Sequence, residues 1–284
     1  MRTSKIILGL STILLIVIGI FSSIWMTKQH HNDHAIQTAR ISPVIFIPGS
    51  SATINRFDDM FTSINKQSKG TPATPVLKLQ VNKDGSYTYS GKLATNNRQP
   101  FIVIGFEDNS DSYDNIKRQA KWLSSAMNAL QQTYHFRDFS AIGHSNGGLD
   151  WTEYLENYYN INDFHIKTLM TLGTPYNFSE SSTTKQTAML TDLMDNSDNL
   201  PTDLTVYSVA GSEDYSDDGI VPVQSVLSGK YIFQKQVKKY TQITVSGDNA
   251  EHSNLPENPE VVQLIQEYIL NNKSNDNRSR RADK

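Results

Sequence analysis

Cysteine is absent from all 284 residues. That excludes disulfides, a thiolate nucleophile and the cysteine box needed for lipid attachment. A charge excess is also lacking. Twenty-six Lys and Arg stand against 29 Asp and Glu, for a net charge of −3, so nothing marks a nucleic-acid binder. No ligand spacing suited to zinc appears, and no segment repeats. Hydrophobic residues make up 37% of the chain, enough for one sizeable core.

One long apolar run does occur. Ile6 to Met26 carries no charge and follows Arg2 and Lys5. It exceeds the ~7–15 apolar residues of a signal-peptide core and suffices for the ~20 that span a bilayer. No clean small-residue cleavage site follows; Phe21-Ser22-Ser23 is a weak one. The basic flank should keep the N-terminus cytoplasmic and the rest outside. The expected organisation is a signal anchor over residues 1–26, a polar tether over 27–42, a catalytic domain over 43–272 and a solvated tail over 273–284. A cleaved signal segment, giving a secreted protein, is the alternative.

The most informative stretch is Gly143-His144-Ser145-Asn146-Gly147. It fits G-x-S-x-G, in which a tight strand-to-helix turn exposes a serine nucleophile. Phe139 to Ile142 before it reads as a buried strand. Gly147 to Tyr159 after it reads as a helix, with Leu149, Tyr154, Leu155 and Tyr158 near helical spacing.

A serine hydroxyl needs a base, and the base needs an orienting acid. In this arrangement the chain order is serine, acid, histidine. Of seven histidines only His165 and His252 follow the serine. His165 opens the strand-like run Ile166 to Leu172, which favours a structural role. His252 lies between the last strand-like run, Tyr240 to Val245, and the last helix-like run, Pro259 to Leu270, and is the expected base. The acid should follow the strand Leu204 to Ala210, where Glu213, Asp214, Asp217 and Asp218 crowd together. Asp218-Gly219-Ile220-Val221-Pro222 resembles the segment that carries the acid in many lipases. Asp218 is therefore preferred, then Asp214, then Asp217. The crowd fails the EF-hand pattern, because Ser225 stands at the twelfth position counted from Asp214. No metal and no cofactor are expected.

An oxyanion hole needs two backbone N–H donors. Asn146, next after the serine, supplies one. The loop after the first core strand supplies the other. Pro43 to Ser51 resembles the lipase strand ending in His-Gly-x, with Pro48 in place of histidine, and makes Ser50 that donor.

Strand-like and helix-like runs alternate through the chain, which predicts an α/β fold with a mostly parallel sheet flanked by helices. Arg56 to Lys66 puts Phe57, Met60, Phe61 and Ile64 on one face. Leu77 to Val81 and Tyr87 to Tyr89 flank Asp84-Gly85 as an inserted β-hairpin. Asp111 or Ser112 caps a helix running to Tyr134. Ser179 to Leu200 breaks the periodicity, carries one weakly amphipathic stretch around Ala188 to Met194, and reads as a small lid.

Six segments occur in order: Pro48 to Ala52, Lys83-Asp84-Gly85, Gly143 to Gly148, Leu172 to Asn177, Asp218 to Pro222 and His252 to Leu255. Together they resemble the uncharacterised cell-surface α/β-hydrolases of low-GC Gram-positive bacteria, domain of unknown function 915, from about Ser42 to Asn271. The resemblance implies an exported or anchored hydrolase with Ser145, Asp218 and His252 as its triad. Asn146 departs from the methionine usual there. The function expected is extracytoplasmic hydrolysis of a small carboxylic ester through an acyl-enzyme. The rival is a non-catalytic surface binding or adhesion module on the same scaffold.

Overall fold

The computed structural model describes residues 15, 17–23, 41–67, 74–93, 97–182 and 184–270. The chain divides into two units, 1–40 and 41–284. In the first, residues 17–23 are helical and exposed. Most of the expected membrane span, the tether to residue 40 and the tail lie outside the described residues. Among the described residues no helix is long and apolar enough to cross a membrane.

In the second unit, eight strands form one sheet in the order β3-β2-β4-β1-β5-β6-β7-β8. They are β1 (Val44–Ile47), β2 (Val76–Val81), β3 (Tyr87–Gly91), β4 (Phe101–Phe106), β5 (Asp138–His144), β6 (His165–Leu172), β7 (Thr205–Ser212) and β8 (Lys239–Ser246). Every pairing is parallel except β2 with β3. The inner strands are apolar throughout, Val-Ile-Phe-Ile in β1 and Phe-Ile-Val-Ile-Gly-Phe in β4. Such runs suit strands covered on both faces.

The Asp84-Gly85 hairpin belongs to this sheet. Its first strand pairs with β4 from Val76↔Phe101 to Val81↔Phe106, and its second forms the edge. β2 alternates half-buried and buried positions, while β3 is largely exposed, as an edge requires.

The helices are α1 (Asp58–Gln67), α2 (Tyr113–Tyr134), α3 (Asn146–Asn157), α4 (Ala188–Asn196), α5 (Val223–Leu227), α6 (Gly229–Phe233) and α7 (Pro259–Ile265), the last continued by a π-type segment, Gln266–Leu270. The face expected to turn inward over residues 56–66 is buried, and so are Ile116, Ala120, Leu123, Met127 and Leu130 of α2. Phe57, just before α1, and Phe61 within it pack on Phe46, with ring centroids 5.4 and 4.9 Å away, and Phe61 stacks on Phe101 at 5.2 Å. Such contacts contribute about 0.5–1.5 kcal/mol per pair beyond area burial. Ser112 is the α2 cap, its hydroxyl accepting the Asn115 N–H at 3.2 Å.

The elbow helix departs from the simple stripe read in the sequence. From Asn146 to Glu156 α3 is buried on all sides, Trp151 included. It is a central helix, so periodicity alone understates its burial. The stretch read as a lid holds α4, capped by Thr187 and anchored on the helix layer. Asp192 accepts from the Tyr113 hydroxyl and from Lys117 of α2 at 2.5 and 2.6 Å, and Met189, Leu190 and Leu193 are buried.

Candidate active site

Five loops leaving the C-terminal ends of β1, β5, β6, β7 and β8 carry the residues singled out in the sequence. That edge is where open parallel sheets place their sites.

The turn after β5 puts Ser145 at φ 54°, ψ −127°. A non-glycine residue held there costs about 1–3 kcal/mol and persists only when its surroundings over-determine it. Three hydrogen bonds do so here. The Ser145 N–H donates to Leu172 O at 2.8 Å, and its carbonyl accepts from Gly148 N at 3.0 Å and Thr174 Oγ1 at 3.1 Å. The helix must also pass very close to β1. A Cβ on Gly147 would lie 2.2 Å from Ile47 O, so only glycine fits.

Asp218 and His252 meet although 34 residues apart: His252 Nδ1 lies 2.7 Å from Asp218 Oδ2. The His252 N–H also donates to Asp218 O at 2.7 Å, which aligns the two loops. Asp218 is buried, yet its other oxygen accepts from Val221 N at 2.7 Å and Ile220 N at 3.1 Å. Buried polar oxygens need such partners in place of water. Gly173, at φ +58°, lets the chain pass beside this pair. A Cβ there would lie 3.0 Å from His252 Nδ1 and 3.1 Å from Asp218 Oδ2.

The other two aspartates are elsewhere. Asp214 is exposed and accepts from Ser216, which lowers its pKa. Asp217 accepts from Gly219 N at 2.8 Å and Ser216 Oγ at 3.1 Å. His165 bonds Asp138 and Asp203, both at 3.0 Å, where β6 begins, at the sheet edge opposite Ser145. Among the described residues no group of three His, Asp or Glu is placed to hold a metal ion.

The serine reaches the His252 loop through its neighbour. His144 Nε2 donates to His252 O at 2.9 Å, and the two imidazoles lie 4.8 Å apart. Burial, with His252 and Arg56 adding to it, holds the His144 pKa well below its ordinary value, so this ring stays neutral. The sequence reading treated His144 only as the variable position of the elbow. Among the described residues no hydrogen bond joins Ser145 Oγ to the His252 ring. Such contacts commonly tighten only with substrate bound.

Asn146 begins α3, so its N–H has no carbonyl one turn back to donate to. Its side chain donates to Asp111 Oδ1 at 2.8 Å. Ser50 lies in the turn after β1. Gly49 beside it is so close to the elbow that an added Cβ would lie 2.6 Å from Ser145 Cβ. The turns carrying the two N–H groups therefore flank the serine.

A parallel sheet with helices on both faces and a strained serine between strand and helix defines the α/β-hydrolase class. Within it, the chain belongs to the family described as α/β hydrolase of unknown function (DUF915), whose model matches residues 30–272. It is similar to a candidate cell surface hydrolase from Lactobacillus plantarum, at 51% identity and a TM-score of 0.74, covering 81% of this chain and 92% of that one. It is also similar to a gene product of Listeria innocua, at 28% identity and a TM-score of 0.72, covering 80% and 92%. No curated protein matches the chain.

Proposed function

We propose that the protein is a serine hydrolase of carboxylic esters acting outside the cytoplasmic membrane. The observation that carries this reading is the strained Ser145 together with the buried His252–Asp218 pair at 2.7 Å. His252 Nε2 takes the Ser145 proton as Oγ attacks the carbonyl carbon. Asp218 accepts the Nδ1–H, fixes the tautomer and stabilises the imidazolium. The N–H groups of Ser50 and Asn146 hold the oxyanion. The C–O bond to the alcohol breaks and the alcohol leaves with the proton from His252. Water, deprotonated by His252, then attacks the acyl carbon; the C–Oγ bond breaks, the carboxylic acid leaves and His252 returns its proton to Ser145 Oγ.

Ser145→Ala should abolish turnover of a short p-nitrophenyl ester and labelling by a fluorophosphonate probe on purified residues 41–284. Labelling that persists in that variant removes Ser145 from the role. A folded domain that the probe never labels favours the binding-module reading instead.

The location rests on Ile6–Met26 and its basic flank. Protease shaving of intact cells should release an active fragment beginning after Met26. Protection until lysis inverts the topology, and a secreted form starting near Ser23 makes the segment a cleaved signal.

A further inference from the structure

The loop between β4 and α2 touches both turns assigned above to the oxyanion donors, and it is bolted to α2 from behind. On the β1 side, Asn109 O accepts the Ser51 N–H at 3.3 Å, and the Asn109 amide donates to Ala52 O at 2.5 Å. Ser51 sits at φ 59°, left-handed and costly for a non-glycine residue. Asn109 thus clamps the strained turn that contains Ser50 from two directions. On the elbow side, Asp111 Oδ1 accepts from the Asn146 side chain at 2.8 Å. That bond anchors the residue that follows the serine and opens α3.

The loop itself is fixed by two buried amides. Asn115 Nδ2 donates to Ser110 O at 2.8 Å and to Asp108 O at 3.2 Å, and Gln119 Nε2 donates to Asp108 O at 2.7 Å. Arg118 adds an ion pair to Asp108 at 3.1 Å. Buried side-chain amides satisfied in this way rigidify a backbone segment.

We propose that residues 108–111 form a strap that sets the spacing of the two oxyanion donors, with Asn109 and Asp111 as positioning residues for the transition state. The inference rests on the hydrolase reading above. Oxyanion donors act because they are preorganised where charge develops, and a displacement well under 1 Å forfeits that advantage. Neither residue donates to the oxyanion. Each acts through the turn it holds. Loosening the strap should therefore lower kcat while KM stays in place, since the ground-state carbonyl depends less on these donors than the tetrahedral intermediate does.

The test compares Asp111→Ala, Asn109→Ala, Asn146→Ala and the pair Asp111→Ala/Asn146→Ala with wild type on a p-nitrophenyl ester, together with melting temperature. Losing an oxyanion donor outright costs roughly 100- to 1000-fold in kcat, so loosening one should cost on the order of 10-fold. Asp111→Ala and Asn146→Ala should each show that loss, and the pair should be no worse than either alone, because both remove one link. Asp111→Asn keeps an acceptor oxygen and should recover most of kcat. A purely structural role would instead lower the melting temperature and leave kcat of the folded protein unchanged. Active wild type with kcat intact in Asp111→Ala and Asn109→Ala overturns the strap alone. Wild type inert to ester and probe overturns the hydrolase reading and the strap with it.

Discussion

Two carboxylate regions of this molecule are matched in burial and opposed in hydrogen-bond partners. Asp218 lies on the loop after β7, with both oxygens partnered by Val221 N, Ile220 N and His252. Asp150 and Glu156 lie on α3, equally buried. Among the described residues, neither oxygen of Glu156 nor Oδ1 of Asp150 has a hydrogen-bond partner. Burial pushes Glu156 up to about 10, with repulsion from Glu153 and Asp192 adding to it, and raises Asp150 well above its ordinary value. The first region gives its carboxylate a partner on each oxygen. In the second, burial favours the protonated carboxyl, because the unpartnered oxygens have nothing to compensate a charge. Burial alone therefore does not distinguish Asp218 from Asp150 and Glu156; its partners do.

The largest break in this comparison should come from the partnered side. Asp218→Asn removes the acceptor for His252 Nδ1–H, and kcat should fall by about 10⁴-fold on the scale of the serine-protease example. If Asp214→Asn does this instead, the assignment of the acid to Asp218 is overturned.

The elbow geometry supports the same pair and should fail by overpacking. Gly147→Ala forces a Cβ to 2.2 Å from Ile47 O. A loss of about 1–3 kcal/mol or more is expected, seen as a lower urea midpoint. An unchanged midpoint would mean that strand and helix approach less closely than described.

On the unpartnered side the effect is a pH dependence. Glu156 has a folded pKa raised above the ordinary 4.5, to about 10. Its contribution to stability is full below about pH 4.5 and is lost as pH rises towards 10. Within that window the folded protein holds a proton that the unfolded chain releases. Each such group tilts stability by at most about 1.4 kcal/mol per pH unit. The melting temperature should fall from pH 5 to pH 9, and Glu156→Gln, neutral at every pH, should flatten that fall. A parallel curve for the variant would show that Glu156 is charged in the folded protein.

The smallest effect belongs to the exposed aspartate. Asp214→Asn keeps an acceptor oxygen for Ser216 and loses only an exposed charge, and a change in kcat under about threefold is expected from the same ester assay.

Much of the fold was legible because its periodicities are strong. The strands read at Phe139, Ile166, Leu204 and Tyr240 each appear within a few residues of their observed ends, and Phe57, Met60, Phe61 and Ile64 are all buried as placed. The hairpin was legible as a hairpin but not as part of the main sheet. Its pairing with β4 joins segments that are not adjacent in the chain, and local alternation carries no information about the neighbour. The burial of Asp150, Glu153 and Glu156 was not legible either. Polar residues on a helix ordinarily mark its solvated face, and only the packing of α2, α4 and the sheet around α3 reverses that reading.

By itself, the sequence determined the order of Ser145, Asp218 and His252 along the chain, the turn that must be built from glycine around Ser145, and the alternation of strands with helices. These are local properties, set by side-chain period and backbone sterics within a few residues. The tertiary structure decided which of three neighbouring aspartates meets His252, that His144 bonds the His252 loop, and that Asn109 and Asp111 reach the two turns beside the serine. Those are distances between loops far apart in the chain. They depend on strand order and register, which bring the C-terminal ends of β1, β4, β5, β6, β7 and β8 to one edge.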